Sequence, residues 1–462
     1  MAGGVRTVCV IGAGPRGLSV LDRLCAAARV GTRPGGLVVH VVDPAPHRAD
    51  GSRRAERALH LSMDAPASGI CAYSDGEGVL VDDQAAARRS LYAWARQVAE
   101  FGGIVESGGL DRLHGLDARL VSEAGTLRPD SRPSRALYER YIAGCFQRIA
   151  ARAPRNVFLH MHRSGAVAMA DIHGLADGRQ GVRLENGIRL NDLDAVVLAE
   201  ERAGVRPTAL QERTAALARI HYLTYVTPGD PLDADLDGIE PGRNVLIRGL
   251  GPAFSDYLAL LTLGRGGRFL RNGDRIRYQP SGDEPVIHAA YRGCSAPKQT
   301  PESVALVEAG VLKLTGPATE IRFDATDPAF AAVSRLAPLA PVRARALIEA
   351  RPTRPDPRRA LDPLLIHLLK TAQATAYPSA LATAPGARRG TGGLAVACDT
   401  PHLLDVRGHA HPRRFALAQS DQAAARDADT VARAVLALPP AVDPHADGSG
   451  PAAGSDLREL IV

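Results

Sequence analysis

A buried-type strand that breaks on Gly12-Ala13-Gly14-Pro15-Arg16-Gly17 constrains this chain more than any other stretch. Residues 8–12 (V-C-V-I-G) form a continuous apolar run, the pattern of a parallel strand covered on both faces. Residues 17–30 carry leucine and alanine at helical spacing, and residues 37–42 form a second apolar strand that ends at Asp43. Strand, glycine turn, helix and strand make one βαβ unit, which points to an α/β architecture. Each glycine has its own reason. The first permits the tight turn, the second lets the backbone approach a diphosphate, and the third lets helix and strand pack closely. The helix N-terminus adds free amides and a positive dipole. Asp43 stands 26 residues past Gly17, where a carboxylate can bind a ribose hydroxyl and repel a 2′-phosphate. Gly12, Ala13, Gly14, Pro15, Arg16, Gly17 and Asp43 are therefore expected to hold FAD or NAD rather than NADP. The plainer alternative is a glycine turn in a doubly wound domain that holds no ligand.

A second strand-to-helix start lies at residues 244–251 (N-V-L-I-R-G-L-G), followed by an apolar helix to about residue 263. Gly249 and Gly251 keep two of the three glycines, and Phe254 in the third place prevents the closest helix–strand contact. The downstream run 264–269 (G-R-G-G-R-F) offers Arg265 and Arg268, with Arg271 just beyond, and no acid. Guanidinium groups there can pair with a 2′-phosphate, and Arg292 is a further candidate for phosphate contact. NADPH or NADH is the ligand expected at this turn; a decayed duplicate of the first turn is the alternative.

Between and beyond the turns, residues 90–99 and 135–151 read as helices, the second after a start signal at 131–134. Residues 157–162 and 194–199 read as strands with a polar hairpin, 178–191, between them. Later come strand candidates at 342–350 and 415–418, a closing helix at 427–438, and a tail rich in Pro, Gly, Ala and Asp from 439.

At 462 residues the chain is too long for one small core. Lys+Arg exceeds Asp+Glu by 56 to 50, but the arginines are scattered and aromatics are only 4 %, so the stacking platforms of nucleic-acid binders are missing. Apolar runs reach strand length only, so no bilayer span is expected, and the N-terminus does not read as a signal peptide. Cys9, Cys25, Cys71, Cys145, Cys294 and Cys398 are far apart without C-x-x-C, which predicts reduced thiols and a cytoplasmic protein. His160-x-His162 and His409-x-His411 have no nearby partners at metal-ligand spacing, so no metal is expected. G-x-S-x-G, P-loop and Cys–His signatures are absent, which leaves hydrolase and kinase readings unsupported.

The chain resembles the bacterial FAD/NAD(P)-binding proteins of the two-dinucleotide-binding-domain flavoprotein group, distantly like N-hydroxylating and Baeyer–Villiger monooxygenases. The resemblance rests on residues 10–24 (V-I-G-A-G-P-R-G-L-S-V-L-D-R-L), 60–67, 134–142, 194–199, 245–251, 264–269, 280–285 and 428–436. It implies two Rossmann-like domains, the second inserted in the first: an FAD domain from 1–215 and 342–440 and an NAD(P) domain at 216–341; composition marks 441–462 as a flexible tail. It also implies FAD and NADPH (or NADH) as cofactors and a small amine, amino-acid or ketone-type substrate. Family members usually carry L-L-M-N-T near the flavin ring where this chain has L-S-M-D-A, so Met63 and Asp64 inherit a cofactor-proximal place. Asp64 is the candidate general acid or base, with an Asx turn or helix cap as the alternative. Two departures support a second reading, a non-redox descendant acting as a nucleotide-binding accessory protein. Glu200-Glu201 follows the 194–199 strand in place of small residues, and 419–423 lacks the family's glycine. A weaker third reading is a single-cofactor NAD(P) dehydrogenase.

Overall fold

The computed structural model describes residues 5–30, 36–44, 53–72, 90–100, 118–176, 178–200, 204–273, 275–290, 300–336, 340–351, 356–377, 387–418 and 421–439. The chain opens with β1 (Arg6–Ile11), α1 (Pro15–Val30), β2 (Leu37–Val42) and α2 (Arg53–Ala58). After α3 (Arg135–Ala151), β3 (Val157–His162) and β4 (Ala195–Leu198), it crosses to a second lobe. That lobe contains β5 (Thr224–Val226), β6 (Asn244–Arg248), α4 (Pro252–Leu261), β7 (Val286–Ala290), β8 (Leu312–Leu314) and β9 (Ala346–Glu349). The chain returns through α5 (Pro363–Lys370), β10 (His402–Leu404), β11 (Ala410–Ala416) and α6 (Asp421–Ala437).

Five parallel strands in the order β11-β4-β1-β2-β3 form the centre of the first sheet, which β10 and the short strands 395–397 and 387–389 extend antiparallel. The apolar run of β1 fits this place because successive side chains enter different cores. Val8 and Val10 join the core that holds α1, α3 and α6; Cys9 and Ile11 join the one beneath α5 and an antiparallel sheet of 166–171, 180–184 and 189–193. The expected hairpin at 178–191 is thus part of three strands. Arg6 ties the lobe's two ends together, its guanidinium donating to the Val435 and Leu438 carbonyls at 2.6 and 2.7 Å. A cation suits that end of α6, where helix carbonyls lack amide partners.

The second sheet is all parallel, in the order β8-β7-β6-β9-β5. Two doubly wound sheets, one inserted in the other, are the expected fold class. The expected boundary at 342 needs correction: Ala346–Glu349 lies between β6 and β5, with Leu347 opposite both Leu246 and Tyr225. A short apolar run shows that a strand is buried and does not show which sheet buries it. The return crossover therefore follows residue 350, and it is stitched to the outgoing one. Val205 bridges to Ala360, the Arg206 amide donates to Arg359 O at 2.7 Å, and the Leu361 amide donates to Gly204 O at 2.8 Å.

A clasp of opposite charge joins the lobes. Arg54 reaches Asp233 at 2.6 Å and Asp230 at 3.0 Å, Arg135 reaches Asp230 at 3.1 Å, and Arg53 reaches Asp237 at 2.6 Å. Arg57 donates to Ala234 O at 2.6 Å. The closing helix starts at Asp421 rather than 427, and the 441–462 tail lies outside the described residues. No helix among the described residues is long and apolar enough to cross a membrane.

Candidate dinucleotide-binding sites

The first glycine turn leaves the carboxyl end of β1. Gly12 has φ +106°, and a Cβ there would lie 2.9 Å from the Ala199 carbonyl carbon. Only glycine meets both demands. A Cβ on Gly17 would lie 1.9 Å from the Gly12 oxygen, so the third glycine lets α1 sit against the turn. The Ala13 amide donates to Asp43 Oδ2 at 2.8 Å, which fixes the turn to the end of β2. Gly14 accepts from the Leu18 amide at 2.9 Å, and Pro15 is the first residue of α1. Arg16 is 7 % exposed and donates to the Glu200 carbonyl at 3.2 Å. The sequence brings these residues together as expected, and the turn is a cradle that added side chains would fill.

Glu200 follows β4 beside this cradle. Burial, with the Asp362 and Asp43 carboxylates nearby, pushes it up to about 8. Asp362 is also raised by burial, although its Oδ1 caps α5 by accepting the Leu365 amide at 2.7 Å. A carboxyl titrating near 8 is mainly protonated at neutral pH, so the repulsion of a diphosphate inferred from the acidic sequence is relieved at Glu200. Glu201 lies outside the described residues.

Met63 is half-buried against the first-lobe core, and its amide donates to Pro133 O at 2.8 Å. Asp64 next to it is exposed and makes no hydrogen bond to another described residue. At the end of β11 the Ala418 amide donates to Asp427 Oδ2 at 2.8 Å, and Arg388 grips the same carboxylate at 2.6 and 2.9 Å. Asp427 thereby ties β11 to α6, a role the helical pattern around it concealed.

The second turn repeats the geometry with different chemistry. Gly249 has φ +110°, and a Cβ there would lie 2.6 Å from Arg351 Cγ. Gly251 precedes α4 in an extended conformation without a side-chain cap, and Phe254 packs into the core as its size requires. Arg268 is exposed on the hairpin of Arg268–Asn272 and Arg275–Gln279. β7 is one of the two parallel neighbours of β6, with Ala290 opposite Arg248, and Arg268 is not on that strand. Arg292 lies outside the described residues. Arg265 donates to Ile239 O at 2.7 Å and Arg271 pairs with Glu302 at 3.2 Å, both structural contacts.

Sequence reasoning missed Glu349. It is 1 % exposed at the end of β9 and accepts from Arg248 Nε at 2.9 Å, Tyr225 at 3.2 Å and Arg351 at 3.3 Å. A lone acid closing an apolar strand (A-L-I-E) was the available signal. His40 Nδ1 and His162 Nε2 are 2.9 Å apart, and burial lowers both imidazoles, His40 to about 4. No group of three or more metal-ligating side chains among the described residues could hold a metal ion.

The profile of the family described as FAD-NAD(P)-binding matches residues 9–200. An L-aspartate N-monooxygenase (nitrosuccinate-forming) of Streptomyces cremeus is 30 % identical over 649 aligned positions, which take in 95 % of this chain and 96 % of that protein. The chain belongs to the FAD-NAD(P)-binding family. A second protein of that name, from Streptomyces davaonensis, is 44 % identical over 290 residues, 62 % of this chain and 43 % of its own length. A nitrosuccinic acid synthase of Aspergillus oryzae is 38 % identical over 286 residues, 62 % of this chain and 40 % of its own length. The chain thus spans less than half the length of these last two relatives. Membership of the FAD-NAD(P)-binding family agrees with the cofactors expected from the two turns, FAD and a nicotinamide dinucleotide.

Proposed function

We propose that this chain is an FAD-dependent, NAD(P)H-using N-monooxygenase of a small amino acid, with L-aspartate the first substrate to test. The observation that carries the reading is the first turn. It is a cradle closed to any Cβ at Gly12 and Gly17, in a chain aligned along 95 % of its length with an enzyme of that name. Bound FAD would supply the passage of reducing equivalents from the nicotinamide to dioxygen.

The chain's own residues do the rest. Gly12 and Gly17 keep the turn open to a diphosphate, and Asp43 holds its shape while standing where a ribose hydroxyl is expected. Glu200 holds a proton at its carboxyl and so spares the diphosphate a second negative neighbour. Gly249 and Gly251 present the uncapped start of α4 to the second dinucleotide. The arginine–aspartate clasp fixes how the two lobes face each other. Met63 and Asp64 lie on the loop assigned to the flavin side, and Asp64 is the residue to test for proton transfer. The free thiols of Cys9, Cys25 and Cys145, all buried, suit a reducing cytoplasm.

The test is an anaerobic NADPH titration of the purified chain loaded with FAD, followed by air and L-aspartate. Bleaching of the flavin and an N-oxidised product by mass spectrometry support the reading. A flavin that neither NADPH nor NADH reduces refutes it. Bleaching without N-oxidation of aspartate or of a panel of small amino acids, amines and ketones refutes the monooxygenase assignment.

A further inference from the structure

The two glycine turns are built alike and charged differently. In each, the neighbouring parallel strand is followed by an alanine whose successor lies over the first glycine of the turn. At the first turn the pair is Ala199-Glu200, 2.9 Å from the Gly12 Cβ position; at the second it is Ala350-Arg351, with Arg351 Cγ 2.6 Å from the Gly249 Cβ position. The first turn is thus covered by the backbone of a glutamate, and the second by the backbone and side-chain stem of an arginine that ends in a guanidinium.

That guanidinium is held in place. Glu349, with its side chain fully buried, receives both Arg248 and Arg351. The buried carboxylate thereby fixes both guanidinium groups beside the second turn. Arg248 is the inner member, its side chain 17 % exposed, while Arg351 is 40 % exposed with its Cγ over Gly249. The turn itself leads into the ten residues of α4, whose first amides no side chain caps. Positive charge, a backbone open to close approach and free amides converge on the first glycines, where a dinucleotide's diphosphate passes. A 2′-phosphate would instead sit at the end of the adjacent strand, beyond Ala290.

We propose that Arg351, oriented by the buried Glu349, binds the diphosphate of the nicotinamide dinucleotide at the second turn. The proposal rests on the reading that this lobe takes such a dinucleotide, and it adds the residue and the phosphate group that is recognised.

Its test is binding of NADP+ and of NAD+ to the FAD-loaded chain by calorimetry, for wild type, Arg351→Gln and Arg351→Lys. Loss of one charge-assisted contact corresponds to about tenfold or more in Kd. Arg351→Gln is expected to weaken NADP+ and NAD+ by the same factor, because the diphosphate is common to both. Arg351→Lys should fall between, since it keeps the charge and loses the fork. Flavin content and Tm should stay at wild-type values, because the Arg351 side chain is partly exposed. A loss confined to NADP+ would make Arg351 a reader of the 2′-phosphate and overturn the proposal; so would unchanged Kd values for both. Should either variant fail to fold, the other decides by the same comparison. A wild-type chain that binds neither dinucleotide overturns the underlying reading, and the proposal with it.

Discussion

Replacing Gly17 with alanine puts a methyl group 1.9 Å from the Gly12 carbonyl oxygen. Ordinary contact at such a position begins at 3.4 Å, so helix and turn must part by about 1.5 Å, taken from those two distances. Neither side yields easily. β1 is paired on both edges, to β2 and β4, and α1 is seated in the core that also holds α3 and α6. Overpacking of this kind costs about 1–3 kcal/mol. The same displacement moves the turn amides away from a bound diphosphate, and each charge-assisted hydrogen bond lost there is worth about 1.5–3 kcal/mol, roughly 10- to 100-fold in affinity. Gly17→Ala should therefore lower Tm by several degrees and weaken FAD by at least tenfold, read by thermal denaturation and by flavin fluorescence titration of the apoprotein. A variant with wild-type Tm and an FAD Kd within twofold would show that the third glycine does not set helix–turn contact.

Glu200 gives a pH dependence. Its carboxyl titrates near 8 in the folded chain against an ordinary 4.5, so the folded state holds the extra proton between those values. Stability should therefore decline as pH rises through that window and level off above about 8, and FAD retention should fall only as pH passes about 8, where the folded carboxyl ionises. Glu200→Gln should flatten both curves, as followed by Tm and flavin content against pH. Arg54→Ala removes the clasp's contacts to Asp230 and Asp233. Such partly exposed pairs are worth at most about 1 kcal/mol each, so FAD should stay bound while NADPH-driven flavin reduction slows several-fold in stopped flow. Equal reduction rates would remove the clasp from catalysis. Asp64→Asn should leave turnover within about threefold, because Asp64 is exposed and no described residue hydrogen-bonds it in place; a hundredfold loss would establish it as the acid or base.

The parts legible in the sequence share one property: local pattern decides them. The run V-C-V-I-G, the glycines after it and the acid closing the next strand define β1, the turn and Asp43 without reference to the rest of the chain. The Ser134 start signal likewise marks α3, whose side chain accepts the Leu137 amide. The parts that were not legible depend on which strands become neighbours. Arg268 is a candidate for a 2′-phosphate by its place downstream of the second turn, but it lies on a hairpin and β7 is the strand beside β6. Residues 342–350 were assigned to the first lobe because an apolar strand carries no mark of its sheet. The carboxylates of Glu349 and Asp427 acquire their roles only through Arg248, Arg351 and Arg388, which are remote in sequence or hidden in helical and strand patterns.

Whether residues 12–17 hold the diphosphate of FAD, with Asp43 at its ribose, is decided by a crystal structure of the chain grown with FAD. FAD density is expected with its diphosphate against the backbone of the first turn and its adenosine ribose beside Asp43. Density for FAD elsewhere, or a turn closed by side chains with no ligand in it, would overturn that assignment.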